Sequence, residues 1–196
     1  MSLKPYFSFN RVEIGIDEVG KGSLAGPVVA AAVILPKDFD YILIKDSKKL
    51  SEKKRTEAFE LIKEKAIDYS ISFISPERID DINILQATME AMHLCLNNIE
   101  TNYQHILVDG NYFLPYNTIP HTCVIKGDNT YYSIAAASIL AKVTRDEFMK
   151  KLHEKSSRYN WASNKGYGSK EHIESIKKFG ITEHHRKSFL KNILQS

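Results

Sequence analysis

The chain has 196 residues, 43% of them hydrophobic, with 27 Lys and Arg against 24 Asp and Glu. That length fills one core and hardly two full-sized ones, so a main domain with an appendage is expected. No apolar run approaches the roughly 20 residues that span a bilayer, and residues 1–10 lack the charged-then-apolar pattern of a signal peptide, so a cytoplasmic protein without membrane contact is expected.

The small net charge of +3 is unevenly spread. Residues 142–196 hold 13 Lys or Arg against 6 Asp or Glu, and the preceding residues 14 against 18. A basic tail beside a mildly acidic body is what solvated surface helices give, and also what a phosphate-tracking surface beside an acidic pocket gives. Cys95 and Cys123 stand 28 positions apart with no C-x-x-C pattern, which predicts buried free thiols.

In chain order, Val12 to Asp17 alternates apolar with small or polar residues, the period of a strand. Gly26 to Leu35 is a nearly continuous apolar run with Pro at each end, as a buried second strand would be. Asp38 to Leu50 is polar and irregular. Ser51 fits an N-cap before a helix over Glu52 to Lys65, with Ala58, Leu61 and Ile62 on one face. Tyr69 to Ile74 alternates again as a third strand. Ser75-Pro76-Glu77 starts a helical region, and a longer helix is predicted from Asn83 to about Asn98, with Leu85, Met89, Met92 and Leu96 in register. His105 to Asp109 is a short strand ending on a carboxylate, and Cys123 to Ile125 is a candidate fifth strand. From Tyr131 onward a long helix is predicted, its Ala135-Ala136-Ala137-Ser138 stretch small enough to lie close against a sheet. Beyond Tyr159 come a glycine-punctuated loop, Lys165 to Gly168, a helix over Ser169 to Phe179 and a basic terminal segment.

The chemistry concentrates in a few places. Asp17 and Glu18 end an apolar strand, where two adjacent carboxylates are costly to desolvate without a purpose. On a straight strand they face opposite sides, so one site can use both only if the chain bends at Val19-Gly20, which glycine allows. Gly15 to Lys21 fits the spacing G-x-x-x-x-G-K, but Gly22 stands where a P-loop needs Ser or Thr, and the carboxylates would repel phosphates. Gly20, Gly22 and Gly26 miss the dinucleotide spacing by one residue.

Asp109 precedes a glycine at a strand end, and Asp128 precedes the long helix, where capping is its ordinary role. Together the four carboxylates form an oxygen-only set suited to Mg²⁺ or Mn²⁺ and not to zinc. Two such ions can activate water on one side of a phosphodiester and stabilise the leaving oxygen on the other. Residues alone therefore point to metal-dependent cleavage of a nucleic-acid backbone. Tyr167 by itself reads as a packed loop aromatic, Lys49 and Lys142 as solvated or phosphate-contacting lysines, and Asp146 as a helix partner for a nearby base. Neighbouring His184 and His185 diverge by roughly 100° on a helix, which argues against a metal pair.

The run Asp17 to Val29, which reads DEVGKGSLAGPVV, resembles the opening signature of the ribonuclease HII family. The resemblance continues, in order, through Asp46-Ser47-Lys48-Lys49-Leu50-Ser51, Val108-Asp109-Gly110, Lys126-Gly127-Asp128, Ser133 to Asp146, Gly166-Tyr167-Gly168-Ser169, and His185-Arg186 with Ser188-Phe189. It implies an α/β, ribonuclease H-like fold: a mixed five-stranded sheet flanked by helices, with a catalytic domain over 1–145 and a basic helical extension over 146–196 packed on it. It further implies an endoribonuclease that cuts RNA paired with DNA, and nicks 5′ to single ribonucleotides in duplex DNA, leaving 3′-hydroxyl and 5′-phosphate ends. Asp17, Glu18, Asp109 and Asp128 would then be metal ligands. Gly20, Lys21, Gly22 and Tyr167 would read the ribose 2′-hydroxyl, with Lys49 and Lys142 as further substrate contacts. Two departures stand out: Lys21 where the family usually has Arg, and Ser23 where Pro is common. The related type 3 enzymes share the Lys but carry a glutamate as fourth ligand, where this chain has Asp128. A monomer is expected, and a sliding-clamp partner has no support, since Phe189 to Leu194 lacks a glutamine-led motif. A DNA-structure-specific nuclease on the same fold, or a silent nucleic-acid-binding module, are the alternatives.

Overall fold

The computed structural model describes residues 3–39, 44 and 50–194. Five strands form one sheet in the order β3-β2-β1-β4-β5: β1 (Glu13–Val19), β2 (Val28–Ile34), β3 (Asp68–Ile74), β4 (His105–Asp109) and β5 (His121–Val124). The first three are antiparallel neighbours, whereas β4 runs parallel to both β1 and β5. The chain must therefore cross over between β3 and β4, and α2 (Pro76–Asn97) makes that crossing.

β2 explains the layering. Each of its seven residues is buried, because both sheet faces are covered. Val29, Ala31 and Val33 pack with α1 (Glu52–Lys65) and α3 (Tyr132–Lys155), while Val28, Ala30, Ala32 and Ile34 pack with α2. The period-two alternation of a strand thus feeds two cores from one apolar run. The small stretch at Ala135 lies against β1, as its lack of bulk predicts. The approach is so close that a Cβ at Gly15 would stand 2.3 Å from the Ser133 carbonyl carbon.

Several boundaries move by a residue or two, and two expectations change. Helix α2 already begins at Pro76 and continues through a single non-helical residue, Asn83, at φ 67° and ψ 164°. The Asn83 side chain accepts from the amides of Leu85 and Gln86, so it restarts the helix as an internal cap. Leu85, in that restarted turn, is exposed instead of sharing the buried face of Met89, Met92 and Leu96. Cys123 is free but only partly buried, because β5 is an edge strand; Cys95 is buried and its thiol donates to the Ala30 carbonyl. Most of the polar segment after Asp38, Lys49 included, lies outside the described residues.

Beyond α3 three short helices follow: α4 (Trp161–Asn164), α5 (Lys170–Phe179) and α6 (Lys187–Leu194). They enclose a third, smaller core of Met149, Leu152, Tyr159, Trp161, Ile176 and Leu190 with Ala25. Ala25 comes from the β1–β2 loop, so this core ties the C-terminal segment to the loop that follows Asp17 and Glu18. No helix among the described residues is long and apolar enough to cross a membrane.

Candidate active site

β1 and β4 are parallel neighbours, so their C-terminal ends lie side by side and carry Asp17, Glu18 and Asp109 to one edge of the sheet. These three carboxylates, with Val19, Arg55, Ser138, Ile139 and Lys142, line a cleft of about 310 Å³. The bend expected for a shared site follows directly: Gly20 has φ +92°. Arg55 and Ser138 carried no sequence signal, since a basic residue on α1 and a Ser in an apolar helix are both ordinary. Only the packing of α1 and α3 on the same sheet face brings them to the cleft.

Each carboxylate is held by a specific neighbour. The Asp17 Oδ1 accepts the Glu18 amide at 2.7 Å, and Ser138 donates to the same side chain. Glu18 is gripped by the Lys21 ammonium through Oε1, while its Oε2 is buried without a hydrogen-bond partner among the described residues. Asp109 accepts the Gly127 amide at 2.6 Å, which fastens the turn carrying Asp128 to the end of β4. Asp128 sits in a short 3₁₀ turn, Gly127–Asn129, and is buried. It is not the cap of α3; that position belongs to Tyr131.

Burial, then the neighbouring charges of Glu18 and Asp109, push the Asp17 carboxyl well above the usual carboxylate range. Burial likewise raises Glu18, against the opposing pull of Lys21. Among the described residues no three acidic or imidazole side chains already converge as a cage for an ion. The residues nevertheless suit a hard divalent cation. Three mutually repelling carboxylates, with one buried oxygen that no hydrogen-bond donor meets among the described residues, need positive charge that Lys21 alone does not supply.

The remaining expected residues divide between two places. Lys142 lines the cleft and pairs with Asp146 one turn on, at 2.6 Å. Gly20, Lys21, Gly22 and Tyr167 form a second unit, in which the Leu24 and Ala25 amides donate to the Gly166 carbonyl. Tyr167 is part-exposed, with the Arg145 guanidinium 5.4 Å from its ring centroid. Among the described residues the Lys21 and Gly22 amides find no acceptor, and both residues are exposed. Ser23, without an assigned role in the sequence, is buried. Its hydroxyl donates to the Gly20 carbonyl and accepts from Arg145. His184 and His185 lie in a turn and not on a helix, and His185 packs among Tyr159, Trp161 and His172.

A mixed five-stranded sheet flanked by helices, with carboxylates at the ends of two neighbouring parallel strands, is the arrangement of the ribonuclease H-like fold. Two solved structures share it. Ribonuclease H2 from Pyrococcus horikoshii matches with TM-score 0.77 and 26% identity, over 93% of this chain and 97% of that one. Bst-RNase HIII, solved in complex with Mn²⁺, matches with TM-score 0.73 and 21% identity, over 94% of this chain and 69% of that one. The family model for ribonuclease HII matches residues 14–192, and the chain belongs to that family. A ribonuclease HII from Christiangramia forsetii is 55% identical over 175 residues, 89% of this chain and 88% of the relative. The activity class is accordingly that of a ribonuclease H-type endoribonuclease.

Proposed function

We propose that the chain hydrolyses the RNA strand of RNA–DNA hybrids and nicks duplex DNA on the 5′ side of a single ribonucleotide, leaving 3′-hydroxyl and 5′-phosphate ends. The observation that carries this reading is the junction of two units. The Asp17–Glu18–Asp109 cleft is joined, within three residues of chain, to a loop whose Lys21 and Gly22 amides are exposed and find no acceptor among the described residues. Asp17, Glu18, Asp109 and Asp128 would hold Mg²⁺ or Mn²⁺, and the Mn²⁺ complex of Bst-RNase HIII supports that choice. Two divalent ions held there would supply an activated water and charge for the leaving oxygen.

The chain's own residues do the rest. The Glu18 amide and Ser138 orient Asp17, Lys21 orients Glu18, and the Gly127 amide orients Asp109. Arg55 and Lys142 flank the cleft with positive charge for the phosphodiester backbone. The Lys21 and Gly22 amides donate to the 2′-hydroxyl or its adjacent phosphate, and the part-exposed Tyr167 ring stacks on the neighbouring sugar. Residues 146–196 serve as a basic extension on the same body, acting as a monomer on duplexes that contain ribonucleotides. Its physiological setting is the cytoplasmic removal of ribonucleotides and RNA primers from DNA.

The test is a DNA duplex carrying one ribonucleotide. With Mg²⁺ or Mn²⁺ it is nicked 5′ to that residue, chelation by EDTA stops the reaction, and Asp109→Asn loses nearly all activity. Undiminished cutting by Asp109→Asn removes that residue from the mechanism. Equal cleavage of an all-DNA duplex favours a DNA-structure-specific nuclease on the same fold.

A further inference from the structure

Arg145 is fully buried, at 0% exposure, in the middle of α3. Its guanidinium donates to four acceptors: the Pro27 carbonyl at 2.9 Å, the Ala25 carbonyl at 3.0 Å, the Ser23 hydroxyl at 2.8 Å and the Lys165 carbonyl at 2.9 Å. The first three belong to the loop that follows Lys21 and Gly22, and the fourth to the loop that carries Tyr167. The same guanidinium lies over the Tyr167 ring. Gly20 packs directly on it, since a Cβ there would stand 2.3 Å from Nε.

A second buried arginine, Arg186, works on the same loop from the other side, donating to the Lys21 carbonyl at 2.9 Å and twice to the Gly26 carbonyl. The loop's carbonyls are thus turned inward onto buried guanidiniums, while the Lys21 and Gly22 amides keep no acceptor among the described residues. Burying an arginine whose hydrogen-bond acceptors are carbonyls and a hydroxyl, with no carboxylate among them, is expensive in desolvation. Hydrophobic residues would hold a loop at less cost. What a guanidinium adds is a rigid fork of five N–H donors that fixes several carbonyls at set distances and angles.

We propose that Arg145 is a positioning residue that sets the distance between the Lys21–Gly22 amides and the Tyr167 ring, and through it the recognition of ribose at the cleavage junction. This rests on the reading of Gly20–Gly22 and Tyr167 as the 2′-hydroxyl reader. Arg145 does not touch the reacting atoms and acts through these two loops. It also gives Ser23 a purpose: the hydroxyl, which Pro lacks, links the Gly20 carbonyl to Arg145.

The experiment is a double-mutant cycle on the duplex with one ribonucleotide, under single-turnover conditions, using Arg145→Lys, Ser23→Ala, Tyr167→Ala and the combined variants. Lys keeps the charge but offers donors from one point only. Arg145→Lys is expected to slow cleavage about 100-fold, the scale of an ångström-sized misplacement. Ser23→Ala, losing both the bond to the Gly20 carbonyl and the charge-assisted bond from Arg145, is expected to slow it about tenfold. Mn²⁺ alone, followed by calorimetry, binds both variants as it binds the parent. In the Tyr167→Ala background the losses from Arg145→Lys and Ser23→Ala shrink or vanish, because the geometry they protect is already gone. Losses that multiply independently, together with a lowered Tm, mark a merely structural arginine and overturn the proposal. If Arg145→Lys does not fold, the Ser23→Ala and Tyr167→Ala cycle decides in the same way. A Tyr167→Ala variant that cuts at the parental rate overturns the Tyr167 reading itself, and the role of Arg145 with it. An impaired Tyr167→Ala with an unimpaired Arg145→Lys overturns only the latter.

Discussion

Gly20 and Gly22 flank the same lysine, yet the structure asks different things of them. Gly20 has φ +92°, and a Cβ would meet Arg145 Nε at 2.3 Å and the Pro27 carbonyl oxygen at 2.9 Å. Gly20→Ala should therefore lower stability by about 2–4 kcal/mol, from backbone strain and overpacking together, measurable by urea denaturation. Gly22 has no atom within 4 Å of an added Cβ and no left-handed φ. Gly22→Ala should leave stability within about 0.5 kcal/mol of the parent. If the loop amides read the ribose as proposed, it should still reduce cleavage of the single-ribonucleotide duplex, because the methyl would stand in the path of the substrate. Unchanged cleavage by a stable Gly22→Ala would take Gly22 out of the substrate surface. The resemblance implied that Lys21, with Gly20 and Gly22, reads the ribose 2′-hydroxyl, and gave its side chain no partner; in the structure the ammonium grips Glu18. A compact ammonium can reach a carboxylate three residues back along a turn, and the choice between partners was not legible in the residue type.

At the scale of elements, the decisive pairing is β1 with α3. Gly15 faces α3 because it lies two residues before Asp17 on the same strand face, and its missing Cβ lets the Ser133 backbone come close. The same helix delivers Ser138 and Lys142 to the cleft and Arg145 to the loop between β1 and β2. Gly15→Ala should force α3 outward, lowering stability by about 1–3 kcal/mol and slowing cleavage although residue 15 lines no part of the cleft. A thermal melt with a parallel rate measurement checks both, and a destabilised variant with the parental rate would mean that α3 tolerates the shift. The alanine stretch forecast this close approach from sequence. The internal cap at Asn83 did not stand out, because an Asn between two helical patterns reads equally as a loop or as a cap.

Across the whole molecule, the C-terminal segment is closed by buried imidazoles. Burial, and then the neighbouring His172 and His184, push the His185 pKa down to about 4 from the ordinary 6.5, and burial lowers His172 as well. His172 accepts from the Trp161 indole at 3.1 Å, and its other ring nitrogen bonds the Tyr167 carbonyl at 2.9 Å. The folded state holds His185 neutral, whereas the unfolded chain protonates it near 6.5. Its contribution is therefore fully present above pH 6.5 and is lost as pH falls from there through about 4, a loss on the order of 3 kcal/mol. Tm should fall across that window, and His185→Asn, which keeps an acceptor for the Thr182 amide but cannot titrate, should flatten the slope. An equal slope in both proteins would assign the acid sensitivity elsewhere.

The sequence by itself determined the five strands, α1, α5 and the start of α3 to within about two residues, though not the start of α2 or the short helices α4 and α6; it also determined the acidic residues Asp17, Glu18 and Asp109 at strand ends, and the family, because these are written in local periodicity and in contiguous motifs. It also foresaw that Asp17 and Glu18 could share a site only through a bend at glycine. Tertiary structure alone decided what converges on that site. Arg55, Ser138, Arg145 and Arg186 are ordinary residues in their own segments. They become parts of the cleft and its loop only when parallel β1 and β4 set their ends together and α3 lies across them. Local patterning reports which face of an element is buried. Which partner meets that face depends on contacts between residues more than a hundred positions apart, as Arg145 and Ser23 are.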